Sequence, residues 1–307
     1  MSFKKETARL AAAALLLAVP STAGAGVKVL ASILPLQEFA ARVAGPRADV
    51  RLFLPPGAGV HTWQPRPADI VALSSCDLFI SVGAHLEPWL GTVLTSAPGR
   101  RMRVLEVSRG LPLLPAGKDA DEDGRHGDEH GTSDPHVWLD PELDLVIVDA
   151  IARALAEVDP AGRPVFEANA DALKARLRDM DGHFRRGLAD CRGRRVVVAG
   201  HAAFGYLAAR YGLVQTALVG PSADALPGPG RMMAVIALCR QEGIKAVFHE
   251  ASAPSAPART LARDIGGRVF VLNAGQNLTR DEIRKGTGFF DLMEANLESL
   301  RRGLDCR

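Results

Sequence analysis

The sequence of 307 residues lacks several features that would assign it to a common functional class. It contains no HExxH motif of zinc proteases, no GxSxG motif of serine hydrolases and no phosphate-binding P-loop. Its N-terminal apolar run, residues 10–19, is too short to span a bilayer. These absences argue against a hydrolase of either kind, against an ATPase and against an integral membrane protein.

An excess of charge of one sign is also lacking. The chain has 37 Lys and Arg against 35 Asp and Glu, for a formal net charge of +2. The first 25 residues hold three of the basic residues and one of the acidic residues, so the remainder carries 34 of each. This balance argues against binding to nucleic acid or to an anionic membrane surface.

The first 25 residues have the pattern of a secretory signal peptide. Lys4, Lys5 and Arg9 precede the apolar run, and small residues end the segment at Ala25. We expect cleavage after Ala25 and export to a periplasm. Because no cysteine follows directly after the expected cleavage site, we also expect the mature protein to have no lipid anchor.

Cysteines are few, and an oxidising compartment would permit one or two disulfides among them. The four are Cys76, Cys191, Cys239 and Cys306. Cys76 lies in an apolar context and is expected to pack as a small buried residue. A bridge between Cys239 and Cys306, which would tie down the C-terminus, is the favoured pairing, and four free thiols are the alternative.

Strand and helix patterns alternate in two halves of the chain. The segments VKVLA in the first half and RRVVVAG in the second each precede an amphipathic helix pattern. Further strand patterns are VRLFL, CDLFISVG and RVLEV in the first half, and TALVG, AVFHE and RVFVLNAG in the second. The repetition predicts an α/β fold of two (β/α) lobes with mostly parallel sheets.

The segment 164–188 predicts one long helix between these halves. Its apolar side chains recur every three or four residues, at Phe166, Ala170, Leu173, Leu177, Met180, Phe184 and Leu188. A helix of that length spans about 37 Å and would join the lobes stiffly. We therefore expect a signal peptide at 1–25, a first lobe at 26–160, a connecting helix at 161–190 and a second lobe at 191–307.

Three histidines lie where the two lobes are expected to face each other. His61 follows VRLFL, His201 follows VVVAG, and His136 lies within DPHVWLDP. Ligands of open α/β sheets bind beyond the carboxyl ends of the strands, so these imidazoles can converge on a cation such as Zn²⁺. Taken singly, each is more often a hydrogen-bonded surface residue. Asp134 and Asp140 are candidates to hold the second ring nitrogen of His136.

Five segments, taken in order, resemble a known family. The combination of DPHVWLDP with VGAHLEPWL is specific, and the full set is LPPGAGVHTWQPRPADIVALSSCDLFISVGAHLEPWL, DPHVWLDP, GHAAFGYLAARYGL, VFHE and FFDLMEANLESL. They resemble the solute-binding proteins of zinc and manganese ABC transporters, the ZnuA-like and TroA-like group. The resemblance implies two lobes bridged by a long helix, a metal in the cleft, and delivery to a membrane permease driven by a separate ATPase.

The resemblance also implies a set of metal ligands. Carried over to this sequence, the first three are His61, His136 and His201. Manganese members have a glutamate at the third position, so His201 is the zinc-type residue, in keeping with the preference of Zn²⁺ for nitrogen.

The fourth ligand is left open by the sequence. The family often supplies a carboxylate here, but the corresponding position falls at or near Asn277, whose neutral amide is a poor zinc ligand. Asp281, Glu250 and a water molecule are the alternatives, and three histidines with water or a nearby carboxylate is the favoured arrangement. Glu250 is a candidate to support a ligand. His85 and His249 are expected to fill surface or core roles.

The segment 118–133 is rich in carboxylates and contains His126 and His130. Its composition is typical of a disordered, solvated insertion. Mixed histidine and carboxylate tracts also bind metal weakly. We therefore expect this acidic, histidine-containing loop either to collect zinc or to dock a periplasmic metal donor.

The function expected from these features is a periplasmic, high-affinity receptor. It would act as a monomer, capture Zn²⁺ as a transported ligand, and deliver it to the permease of an ABC importer without catalysing a reaction. One alternative is a manganese or iron receptor of the same family. A second is a zinc-dependent hydrolase or hydratase, because three histidines with a water also form a catalytic site. A third is an adhesin with the same fold.

Overall fold

The computed structural model describes residues 26–96, 102–116, 133–220, 228–251 and 253–307. The expected signal peptide at 1–25 and residues 118–132 of the acidic loop lie outside the described residues. Every statement below refers to the described ranges.

The first lobe is built on a parallel sheet of four strands in the order β2-β1-β3-β4. Strand β3 is buried along its whole length because helices cover both faces of the sheet. The strands are β1 Val27–Ala31, β2 Ala48–Leu52, β3 Leu78–Ser81 and β4 Arg103–Glu106. The helices between them are α1 Leu34–Ala44, α2 Pro67–Leu73 and α3 Leu90–Thr95.

Two long helices follow the first sheet. Helix α4, Pro141–Val158, begins with Pro141 in its first turn and with Asp140 as its N-cap, whose side chain accepts a hydrogen bond from the Glu142 amide. Helix α5, Arg163–Gly187, has 25 residues and is therefore about 37 Å long. It packs along α4 and α1.

Helix α5 confirms the predicted long helix to within one residue at each end. The predicted apolar face is the buried one, and it contains Phe166, Ala170, Leu173, Leu177, Met180 and Phe184. Because these side chains pack into the core that both lobes share, α5 fixes the lobes to one another.

The second lobe repeats the topology of the first. Its strands are parallel, in the order β6-β5-β7-β8. They are β5 Arg195–Val198, β6 Val214–Ala217, β7 Ala246–Glu250 and β8 Arg268–Leu272. The helices are α6 Gly205–Arg210, α7 Pro229–Gln241, α8 Ala256–Ile265, α9 Arg280–Arg284 and α10 Phe289–Gly303. The prediction of two α/β lobes with parallel sheets is thus confirmed.

The segment from the residue after β8 to the first residue of α10, which we call the seam segment (residues 273–289), joins the lobes a second time. The backbone amide of Leu34 donates to the carbonyl of Gln276 at 3.0 Å. The indole N–H of Trp138 donates to the carbonyl of Ala274 at 2.7 Å. The amide of Phe289, at the start of α10, donates to the Glu38 carboxylate at 2.6 Å. The lobes are therefore joined by the seam segment as well as by α5.

The disulfide prediction is wrong. The structure pairs Cys191 with Cys306, and the two backbones also form an isolated antiparallel bridge there. Cys239 is fully buried on α7 in the core of the second lobe, away from the chain end. Cys76 is buried, as predicted. The C-terminus is tied down, but to Cys191, which lies between the end of α5 and the start of β5.

None of the helices in the described part of the chain combines the length and the apolar character needed to cross a membrane.

Candidate metal centre

Three separate elements place histidines at the cleft. His61 lies in the loop that follows β2, and His201 lies three residues after the end of β5. His136 precedes a short 3-10 turn, Val137–Leu139, that leads into α4. The carboxyl ends of both sheets face this point, and the structure brings together the three histidines that the sequence singled out.

The three imidazoles are close enough to bind one ion. Ring centroids are 5.7 Å apart for His61 and His136, 5.6 Å for His61 and His201, and 5.3 Å for His136 and His201. The Nε2 atoms of His136 and His201 are 3.4 Å apart. Two nitrogens bound tetrahedrally at about 2.0–2.1 Å from Zn²⁺ would lie roughly 3.4 Å apart. One candidate ligand atom from each ring falls within 4.8 Å of the other two.

Carboxylates hold two of the rings from behind. The Nδ1 atom of His136 lies 2.7 Å from Oδ1 of Asp134, and Nδ1 of His201 lies 2.5 Å from Oε2 of Glu250. A proton on Nδ1 makes each contact a hydrogen bond and leaves the Nε2 lone pair directed into the cleft. His136 is fully buried and His201 is 4% exposed, so the two rings have little freedom to turn.

The Asp134 carboxylate is fixed by its surroundings. Its Oδ1 atom also accepts a hydrogen bond from the His136 amide at 2.9 Å. Gly205, the first residue of α6, approaches it so closely that a Cβ there would lie 2.6 Å from Oδ2. Of the two aspartates predicted to support His136, the structure therefore places Asp134 in that role. Asp140 instead caps α4 and pairs with Arg210 at 3.2 Å.

The candidates for a fourth ligand are engaged elsewhere. The Asn277 amide donates to the carbonyls of Pro55 and Ala58. Asp281 is 72% exposed on α9 and pairs with Arg284. Glu250 contacts His201 as described, which is the supporting position that the sequence allowed for it.

No other histidine of the described ranges joins this centre. His85 is exposed and adopts a positive φ of 65°. His249 is buried in β7, and its burial lowers the pKa of the imidazole. His126 and His130 lie outside the described residues. Within those ranges, His61, His136 and His201 form the only group of at least three His, Cys, Asp or Glu side chains that could hold a metal ion.

Trp138 has a role that the sequence did not reveal. Its ring is fully buried with its centroid 5.3 Å from that of His136, and its N–H reaches the Ala274 carbonyl in the other lobe. Its position two residues after His136 indicated that it lies near the cleft. The hydrogen bond to Ala274 joins residues that are 136 positions apart, so no local sequence pattern predicts it.

An ionic cluster fixes the elements behind the site. Arg210 of α6 pairs with Asp181 of α5 at 2.8 Å and with Glu142 of α4 at 3.0 Å. Hydrogen bonding to Asp181 raises the pKa of Arg210, so the guanidinium stays charged. Nearby Asp144 is fully buried, and burial raises the pKa of its carboxyl well above the usual range. Helices from both lobes are thus held at one point beside His136.

Comparison with known protein families identifies relatives over almost the whole chain. The family model described as ZnuA, zinc-uptake complex component A, periplasmic, matches residues 29–303. The high-affinity zinc uptake system protein ZnuA of Bacillus subtilis is 30% identical over 283 residues, which are 92% of this chain and 88% of that protein. The zinc-binding lipoprotein AdcA of Streptococcus pneumoniae is 30% identical over 281 residues, but the chain spans only 56% of its length.

Solved structures give the same result. The Zn(II)-bound ZnuA-like domain of Streptococcus pneumoniae AdcA superimposes with a TM-score of 0.77 at 28% identity, covering 91% of this chain and 99% of that domain. The laminin-binding protein Lmb of Streptococcus agalactiae, described as a bifunctional adhesin and metal transporter, gives 0.78 at 27% identity, with 91% and 100% coverage.

The predicted family resemblance is confirmed by these matches. The family is defined by zinc uptake and not by a catalysed reaction, in agreement with the expectation that the protein is not an enzyme. This chain belongs to the ZnuA family of periplasmic components of zinc-uptake complexes.

Proposed function

We propose that this protein captures Zn²⁺ in the interlobe cleft through the Nε2 atoms of His61, His136 and His201 and delivers it to the permease of an ABC importer, which a separate ATPase drives. The observation that carries this proposal is the convergence of three imidazoles, one from each of three separate segments of the chain, with two of the Nδ1 atoms held by buried carboxylates. A water molecule or a nearby carboxylate completes the coordination.

The donor set favours Zn²⁺ over Mn²⁺ and Fe²⁺. Imidazole nitrogens suit zinc, whereas manganese prefers carboxylate, carbonyl and water oxygens. The two carboxylates that touch the imidazoles point at Nδ1 from outside the cluster. Relatives named for zinc binding support the same choice.

A zinc hydrolase is a poorer fit to this arrangement. Such an enzyme needs a base beside the metal-bound water. Asp134 and Glu250 are instead used to orient His136 and His201. A receptor requires only that the ion be bound tightly and then released.

Other parts of the proposal concern the whole exported protein. Residues 1–25 direct export, and the mature chain acts as a monomer. Residues 26–160 and 191–307 are the lobes that enclose the ion, with 161–190 connecting them. The acidic loop 118–133 collects zinc or docks a periplasmic metal donor. The base of this loop supports a link to the centre, because Ser133 pairs with Pro115 and directly precedes Asp134.

Substitution of a central ligand tests the proposal. His136→Ala is expected to weaken Zn²⁺ binding by more than the roughly 100-fold that loss of a supporting contact can cost. Affinity is measured on the mature protein by competition with a chromophoric chelator, with Mn²⁺ and Fe²⁺ titrated anaerobically alongside. His183→Ala is the matched control, because His183 is 54% exposed on α5. Unchanged zinc affinity of His136→Ala would remove this residue from the site.

A further inference from the structure

The loop that carries His61 needs support from outside itself. We call residues 55–61 the His61 loop; it contains neither helix nor strand. It includes Gly57, with a positive φ of 79°, and Gly59. Glycine adds backbone freedom, so such a loop keeps a single conformation only if other groups fix it. His136 and His201, by contrast, are buried beside carboxylates.

Asn277 of the seam segment reaches across to this loop. Its Nδ2 atom donates to the carbonyl of Pro55 at 2.7 Å and to that of Ala58 at 2.9 Å. Its Oδ1 atom accepts from the amide of Leu278 at 2.8 Å. The Gly57 amide adds a backbone bond to the Leu278 carbonyl at 3.0 Å. Both protons and the oxygen of the Asn277 amide are therefore used, which fixes its orientation.

The first lobe holds the same loop from the other side. The indole N–H of Trp89 donates to the carbonyl of Val60, the residue before His61, at 3.0 Å. Trp89 is only 3% exposed, so its position is fixed by packing. Side-chain donors from two lobes thus hold three carbonyls within the six residues that precede His61.

We propose that Asn277 is a positioning residue of the metal centre, which fixes the His61 loop across the cleft before the ion arrives. This inference rests on the proposed function of His61 as a ligand. Two carbonyl acceptors require two donors from one side chain, and an amide supplies them. A carboxylate of the same shape would place an oxygen against two carbonyl oxygens, and a hydroxyl would supply one donor only.

The first test compares zinc affinities. Asn277→Asp and Asn277→Ala are each expected to weaken Zn²⁺ binding about tenfold or more, within the range seen when an outer contact of a metal ligand is lost. Asn169→Ala is the matched control, because Asn169 on α5 also donates to a distant backbone carbonyl, that of Val43 at 3.0 Å. The control is expected to keep its affinity within twofold, which is about the precision of the titration.

Repeating the substitution in a His61→Ala variant separates a positioning role of Asn277 from a general disturbance of the fold. If Asn277 acts through His61, Asn277→Asp is expected to cause no further loss of zinc affinity in a protein that already carries His61→Ala. Equal losses in both backgrounds would overturn the inference. Zinc binding by Asn277→Asp that is as tight as in the natural protein, or tighter, would overturn it as well, because the carboxylate would then be acting as a ligand.

Hydrogen exchange of the metal-free protein gives a readout that does not depend on zinc. The amides of Ala58 and Trp63 bond within or beside the loop, to Pro55 and Gly59. They are expected to exchange faster in Asn277→Asp than in the natural protein, and unchanged exchange would contradict the inference.

Asn277→Ser replaces the alanine variant if the latter fails to fold. Unchanged zinc affinity of His61→Ala alone would instead count against the proposed function, while the exchange result still decides whether Asn277 fixes the loop.

Discussion

Each lobe has a buried glutamate near the carboxyl ends of its first and third strands, Glu87 in the loop after β3 and Glu250 at the end of β7, and the two lobes use it differently. In the first lobe, Ser32 follows β1 and its hydroxyl donates to Glu87 at 2.5 Å. In the second lobe, His201 follows β5 and its Nδ1 atom lies 2.5 Å from Glu250. All four side chains are buried.

The difference lies in what the glutamate supports. Glu87 also accepts hydrogen bonds from the amides of Val82 and Gly83, so it closes a turn of the chain. Glu250 supports an imidazole whose other nitrogen faces the cleft. The buried glutamate therefore stabilises the fold in the first lobe and supports the candidate metal centre in the second. The first lobe contributes its two histidines from other positions, His61 from the loop after β2 and His136 from the segment before α4.

The largest expected difference between the lobes comes from removing the partner of each glutamate. His201→Ala is expected to weaken Zn²⁺ binding by more than about 100-fold, since it removes a proposed ligand. Ser32→Ala is expected to leave the affinity unchanged and to lower the free energy of unfolding by about 1 kcal/mol, the usual net value of one hydrogen bond. Chelator competition and urea denaturation measure the two quantities. A large loss of zinc affinity in Ser32→Ala would show that the two positions are not functionally distinct.

A smaller difference is expected when the glutamates themselves are changed to the neutral, isosteric amide. Glu250→Gln is expected to weaken Zn²⁺ binding about 10- to 100-fold, because the Nδ1 proton of His201 loses a charged acceptor. Glu87→Gln is expected to leave zinc affinity unchanged while it destabilises the turn at Val82 and Gly83. Competition titrations of both variants check this contrast, and equal losses of affinity would break it.

The smallest effect, a change in stability, is expected at Asp144, another buried acid of the first lobe. Neither of its carboxyl oxygens has a hydrogen-bond partner among the described residues, and burial raises its pKa well above 3.8. Below about pH 3.8 the Asp144 carboxyl is protonated in both the folded and the unfolded protein, so its ionisation costs no stability. As the pH rises from there through the raised pKa of the folded state, the unfolded state loses the proton first and the protein becomes less stable.

Asp144→Asn removes this titration and is therefore expected to be more stable than the natural protein at pH 7, with the advantage vanishing near pH 3. Urea denaturation across this pH range measures the difference. Asp179→Asn, at an exposed position of α5, controls for the change in net charge. A variant less stable than the natural protein at pH 7 would show that the Asp144 carboxylate is favourably bound.

The parts of the fold that depend on local pattern were predictable from the sequence. The apolar spacing from Phe166 to Phe184 is a property of one helix, so it located α5 closely. Runs such as AVFHE are buried on both faces, which is why β7 was recognised. The three histidines could be selected because parallel strands present their carboxyl ends on one side of a sheet.

The features that were not predicted depend on contacts between distant parts of the chain. Cys239 and Cys191 are both plausible partners for Cys306 until the path of α10 is known. The roles of Trp138 and Asn277 rest on hydrogen bonds across 136 and 222 positions of sequence. No periodicity records such contacts.

Charge balance at the centre has a consequence for the selection of ions by valence. Two carboxylates, Asp134 and Glu250, stand behind the neutral imidazoles and contribute one formal negative charge each. With water as the fourth ligand, a divalent cation brings the total to zero. A monovalent ion leaves one negative charge uncompensated in a buried site, and a trivalent ion leaves one positive charge, both of which are costly at low dielectric. The charge of the ion thus limits which cations the site can hold, and ligand chemistry then distinguishes one divalent ion from another.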